Sequence, residues 1–206
     1  MSVVPFIQGD LDGACGIYAI INSIQACGIV PRNQLDSLCG TILNVARQKL
    51  SPEHFINLTI GFLTNGTYHP QISALLRVLP PIVPTLTMMA GRGIPERKDG
   101  YFNALVDLFG AGAKAVLIGV YFRGAGGHWT TVYDCSSRQL RLLDGVMKHL
   151  NFDQVTCGQL NTQGSPNILD PTDPWFIFFP TNSGTEGAVR QVCQARGIRC
   201  ERVGGR

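Results

Sequence analysis

The chain has 206 residues, which suits one domain with small appendages. Hydrophobic residues make up 45% and charged residues 15%, so the composition excludes a disordered chain and predicts a packed core. The net charge is only +3, and no Lys/Arg block is interleaved with aromatics, which argues against a nucleic-acid-binding protein. Residues 3 to 7 read as an extended entry into a polar, glycine-rich loop. The apolar run after Cys15 predicts a helix from about Ala14 to Ala26, with Gly28 placed to end it. A second helix is expected from Asn33 to about Leu50, carried by the stripe Leu35, Leu38, Ile42, Leu43, Val45 and Ala46. Ser51-Pro52-Glu53 is a helix start, with Ser as cap and Pro at the first helical position; this third helix should stop at Asn65-Gly66. His69-Pro70 opens a fourth, which Pro80 and Pro81 end.

The pattern then changes. Val83 to Met89 reads as a strand, Gly91 to Gly100 as a loop, Tyr101 to Phe109 as a helix, and Lys114 to Phe122 as a strong β run. Gly124 to Gly127 reads as a flexible link. His128 to Asp134 and Gln139 to Leu143 form an expected hairpin, and Trp175 to Phe179 one more strand between prolines. The expected class is α+β, a helical part followed by an antiparallel sheet. Residues 1–183 are expected to form a single domain and 184–206 a polar, Gly/Arg-rich tail with one weak helix around Glu186 to Ala195.

Seven cysteines, an odd number with no CxxC pair, disfavour a disulfide framework and a standard zinc site. No basic segment followed by an apolar one suggests a cleaved signal, and no apolar run approaches the ~20 residues that span a membrane. A cytoplasmic, reducing location is therefore expected, with export lacking a cleaved signal as the other option.

Chemistry concentrates in two stretches. In Gln8-Gly-Asp-Leu-Asp-Gly-Ala-Cys15-Gly16, Cys15 falls at the start of the first helix. A thiolate there is stabilised by the positive end of the helix dipole, and a first-turn backbone N–H is free to donate to an oxyanion. Gln8 carries an amide suited to be a second donor. Asp10 and Asp12 are expected as turn and capping residues, with a contribution to the oxyanion loop as the alternative. The bland alternative makes Cys15 a small buried residue. In Gly126-Gly127-His128-Trp129, a glycine pair leaves room beside a strand that opens with His128. The partner strand of the hairpin delivers Asp144 at its far end, beside the start of the first, where a carboxylate would orient the imidazole. Trp129 either packs in the core or walls the cleft, with the cleft favoured. His54, His69 and His149 have no ligand-spaced partners, so surface or capping roles are their default. Cys27 and Cys39 are expected in the core, and Cys135 as an exposed thiol in the hairpin turn.

Together these stretches resemble the papain-like cysteine peptidases, closest to the bacterial branch that includes bacteriocin-processing peptidases. There the pattern is Gln a few residues before Asp-Cys-Gly, then Gly-His on a strand, then Asp ending the next strand. The resemblance implies a papain-like fold with Gln8 in the oxyanion hole, Cys15 as nucleophile, His128 as base, Asp144 as the orienting residue, and Gly127 and Trp129 at the substrate. It covers residues 8 to 24 and 116 to 145 by motif and the rest by layout alone. The loop before Cys15 is one residue longer than the family spacing, and Gly145 follows Asp144 where that branch often has Pro. Asp12-Gly-Ala-Cys15 also resembles the start of ovarian-tumour-type deubiquitinases, which place their catalytic His near the C-terminus of the domain; nothing comparable follows residue 150. The implied activity is hydrolysis of a peptide or isopeptide bond in a peptide or protein substrate, with no metal or organic cofactor, no nucleic acid and no membrane involved. The same triad also runs deamidases, amidases and acyltransferases, including enzymes that cleave ubiquitin-like tails. A rival of another class is a non-catalytic binding module that keeps the fold; its signature would be loss of the Cys, His or Asp.

Overall fold

A computed structural model describes residues 14–63, 67–122, 126–136, 139–143, 154–156, 167–169 and 173–204. Among these, six α-helices and eight strands form one antiparallel sheet flanked by helices on both faces. The helices are α1 (Cys15–Ala26), α2 (Leu35–Lys49, entered through a 3-10 turn at Arg32–Gln34), α3 (Pro52–Leu63), α4 (His69–Arg77), α5 (Lys98–Gly110) and α6 (Ser183–Ala195). The strands are β1 (Leu86–Arg92), β2 (Ala115–Phe122), β3 (Gly126–Ser136), β4 (Gln139–Leu143), β5 (Gln154–Thr156), β6 (Asn167–Leu169), β7 (Trp175–Pro180) and β8 (Arg199–Arg202). Across the sheet they run β5-β4-β3-β2-β7-β1-β8, with β6 pairing the end of β2 beyond β7.

The α+β class expected from sequence is the class observed, with helices first and an antiparallel sheet after. The central strands Ala-Val-Leu-Ile-Gly-Val (115–120) and Trp-Phe-Ile-Phe-Phe (175–179) are apolar without alternation because both of their faces are covered. Side chains alternate across a strand. Leu117, Phe176 and Phe178 therefore enter one core with α1 to α4, while Val116, Ile118, Trp175, Ile177 and Phe179 enter a second core with α5 and α6. Helix α1 lies between the sheet and the other N-terminal helices, so Ile20, Ile21 and Ile24 are wholly buried. Gly28 ends that region with φ +67°, a left-handed conformation that glycine adopts freely. The Ser51 hydroxyl accepts the His54 N–H at the start of α3, as its position predicts.

Several boundaries differ from the sequence reading. The strand expected over Val83–Met89 runs instead from Leu86 to Arg92, because Pro81 and Pro84 keep 80–85 in turns and β7 offers partners as far as Gly91. Helix α5 starts three residues early, at Lys98. The link expected over Gly124–Gly127 is strand from Gly126 onward. The largest difference is at the C-terminus. The residues read as a polar tail contain α6, capped by Asn182, whose side chain accepts from Gly184 N at 2.8 Å, and β8, which pairs with β1. Val189 and Cys193 of α6 are buried in the second core. A Cys193–Cys200 disulfide joins α6 to β8, with the two Cα atoms 6.2 Å apart. A single bond is not the framework that the cysteine count disfavoured, yet it is one the spacing did not announce.

Candidate active site

Cys15 is the first residue of α1, and its N-cap residue, Ala14, makes no side-chain capping bond. His128 is the third residue of β3. A buried polar cluster fixes the two elements against each other. The Ser23 and Thr131 hydroxyls both donate to the Ala19 carbonyl, at 2.9 and 2.8 Å, and lie 3.0 Å from one another. One helical turn before Ala19 is Cys15, and three residues before Thr131 is His128. The described part of β4 ends at Leu143, opposite Thr131. Short of Thr131, β3 pairs with β2 on one side, His128 facing Val120, and its other side turns the Trp129 N–H toward Cys15.

The thiol of Cys15 is hydrogen-bonded to the His128 side chain and to the backbone N–H groups of Trp129 and Thr67. Burial pushes the thiol up, but the bond to His128, its positive charge when protonated and the two amides more than offset this, holding Cys15 below the ordinary thiol value. Cys27, at the other end of the same helix, is the contrast. It is similarly buried, and burial pushes it up to about 12, with Lys114 opposing only weakly. Cys39 is also raised, by burial and then by Asp36.

Thr67 is held from two directions. Its carbonyl accepts the Trp129 indole N–H at 2.5 Å, while its N–H faces the thiol. Gly16 explains how Thr67 comes so near. A Cβ at that position would stand 2.6 Å from Thr67 Cγ2 and 2.4 Å from Ile72 Cδ1. The glycine after the cysteine is thus a close-approach residue. Trp129 does both things that the sequence left open: it is only 4% exposed, with its ring packed in the core 6.1 Å from that of Phe176, and it also lines the cavity beside His128. Its contribution is to brace Thr67.

Beside this centre is a cavity of about 330 Å³. Its lining includes Gly127 and His128, along with Thr67, His69, Gly119 and Asp173. Gly127 and Gly119 offer no side chain; a Cβ on Gly119 would lie 2.5 Å from Asp173 Oδ2, so the glycine makes room for that carboxylate. His69 Nδ1 is 3.7 Å from Asp173 Oδ1. The sequence reading gave His69 a surface or capping role and did not single out Thr67 or Asp173. No local motif marks them; only the packing of α4 and β7 around β2 brings them here. Gln8, Asp10, Asp12, Asp144 and His149 lie outside the described residues, as does the stop at Asn65-Gly66. Among the described residues, no group of three or more His, Cys, Asp or Glu side chains is arranged to hold a metal ion, and no helix is long and apolar enough to cross a membrane.

Comparison with known proteins finds no family profile, no curated protein and no solved structure that matches this chain.

Proposed function

We propose that this chain is a papain-like thiol hydrolase acting on amide bonds of peptides or proteins. The observation that carries the reading is the pair of opposite shifts on α1: the thiol at its start, touching His128 and two amides, is held low, whereas the thiol at its end is pushed up. Burial alone would raise both. In this reading His128 takes the Cys15 proton, and the thiolate attacks the substrate carbonyl carbon. The oxyanion that forms accepts a hydrogen bond from the Cys15 N–H and one from the Gln8 amide. The C–N bond then breaks, and the imidazolium gives its proton to the departing amine. Water, deprotonated by His128, attacks the thioester; the C–S bond breaks and the acid leaves. Asp144 orients the imidazole.

The test is native alkylation with iodoacetamide at about pH 6, where an ordinary thiol is almost wholly protonated, with the modified cysteines mapped by mass spectrometry. Cys15 is expected to label ahead of Cys39 and Cys135, and His128→Ala to slow it. An inert Cys15 alongside a reactive Cys135 would sink the hydrolase reading in favour of a binding module. With a reactive Cys15, cleavage of a mixed peptide library by the wild type and not by Cys15→Ala separates hydrolysis from the other reactions of such triads.

A further inference from the structure

A groove of arginines leads away from the candidate active site along α4. At its far end a cavity of about 730 Å³ is lined by Arg77, Arg92 and Arg199, with Ala90 and Phe176 among its apolar residues. A second cavity, of about 380 Å³, shares Arg77 and Arg92 with it and reaches His54 and His69. His69 in turn lines the cavity beside His128. The three spaces thus follow one helix, from the Thr67–His69 end next to Cys15 to Arg77 in its last turn.

The arginines are arranged at a cost. Arg92 and Arg199 are directly opposite each other across the β1–β8 pair, where like charges repel. Among the described residues no carboxylate forms an ion pair with Arg77, Arg92 or Arg199; the acidic groups along the groove are Glu201, two residues beyond Arg199 on the same face and also lining the far cavity, and Asp173, beside His69 at the His128 end, while Glu186 pairs with Arg190 and Arg202. Three exposed guanidinium groups against these two carboxylates, one at each end, leave a positive groove that is short of counter-charge.

We propose that this groove holds an acidic segment of the substrate, read as carboxylate side chains of an extended peptide. The proposal rests on the hydrolase reading of Cys15. Helix α4 has nine residues and is therefore about 13 Å long. An extended chain advances ~3.3 Å per residue, so the carboxylates would be about four residues from the bond that Cys15 attacks. The planar fork of arginine matches a carboxylate bidentately, which suits it to this role better than lysine.

The experiment measures binding apart from chemistry. The probe is a fluorescein-labelled dodecapeptide of alternating Glu and Gly, titrated by anisotropy into full-length Cys15→Ala, beside its Gln-for-Glu counterpart. The acidic peptide is expected to bind and the Gln peptide not. Arg77→Gln with Arg92→Gln should weaken binding about tenfold, the loss of two exposed charge pairs, while Arg47→Gln on α2, which lines none of the three cavities, should leave it unchanged. Because Arg92 opposes Arg199, its replacement should not lower the melting temperature, which shows that the variant is folded. In the wild type the bound acidic peptide should slow alkylation of Cys15. Equal binding of the Gln peptide, equal effects of Arg47→Gln and the groove variant, or binding without protection of Cys15 would each overturn the proposal. Tighter binding of an oligothymidylate of equal length would overturn it in favour of nucleic acid. A reactive Cys15 without charge-dependent binding sinks the groove alone; charge-dependent binding with an inert Cys15 sinks the hydrolase reading and the word substrate with it.

Discussion

Replacing Gly16 by alanine probes the site without touching a reacting atom. The new Cβ would stand 2.4 Å from Ile72 Cδ1 and 2.6 and 2.7 Å from Thr67 Cγ2 and Cβ. Non-bonded carbons prefer ~3.5–4.0 Å, so each contact is too short by about 1 Å. Ile72 is wholly buried and has no space to swing into. Thr67 Cβ is one bond from the backbone, so relief requires the Thr67 backbone to move. Overpacking of this kind costs ~1–3 kcal/mol, offset by up to ~1 kcal/mol from exchanging glycine for alanine in a helix. A net loss of ~1–2 kcal/mol should lower the melting temperature by ~2–8 °C in a chain of this size. The displacement also draws the Thr67 N–H from the thiol, so alkylation of Cys15 at pH 6 should slow. Gly40→Ala in α2 is the matched control: a Cβ there meets nothing within 4 Å, and the exchange should stabilise by ~0.5–1 kcal/mol. Calorimetry and timed alkylation read both effects. A Gly16→Ala protein as stable as the wild type, with Cys15 labelled at the same rate, would refute the close packing of Thr67 against α1.

The pH profile of alkylation should separate the two thiols of α1. Cys15, held below the ordinary thiol value, should keep reacting as pH falls below the ordinary thiol range; in His128→Ala burial, the largest influence and an upward one, loses its main opposition and the profile moves to higher pH. Cys27, pushed up to about 12, should stay unmodified at pH 9 for as long as the protein is folded, so its labelling there would contradict its burial. Thr131→Val removes the hydroxyl that bonds Ala19 and meets Ser23; it should cost ~1–2 kcal/mol by thermal melting and slow Cys15 alkylation, because the same cluster aligns α1 with β3. Reducing the Cys193–Cys200 bond, which closes a separation of seven residues, should cost about 2.5 kcal/mol on the chain-entropy scale; a melting temperature indifferent to dithiothreitol would argue that the bond does not form.

Much of the fold was legible because it is local. The stripe of α2, Ser51-Pro52 before α3, Gly28 after α1 and the apolar runs of β2 and β7 each state their own structure. The start of α1 at Cys15 and the hairpin of β3 and β4 were legible for the same reason. What escaped was tertiary. The continuous apolarity of β2 marks a strand buried on both faces, but nothing in it says that α5 and α6 supply the second cover. The exposed side chains of 183–202 look like a tail, since α6 buries only Val189 and Cys193 and β8 is an edge strand of charged residues. In the candidate site, Cys15 and His128 stand in motifs, whereas Thr67 and Asp173 are drawn there by packing. For Trp129 the sequence left core and cleft open; the indole is buried against Phe176 and bonded to the Thr67 carbonyl, and the residue still lines the cavity beside His128.

The short strand β8 also governs how this protein meets its neighbours. Strand β1, Leu-Thr-Met-Met-Ala-Gly-Arg, would otherwise present an apolar row of unsatisfied N–H and C=O groups, the kind of border on which chains stack into aggregates. β8 closes it with Arg199, Glu201 and Arg202, so that the outermost border carries charge of both signs. The last residues are thus a selvedge that keeps the sheet from growing. Cutting the chain at Gly197 would leave the Cys15 and His128 stretches intact and the molecule prone to self-association.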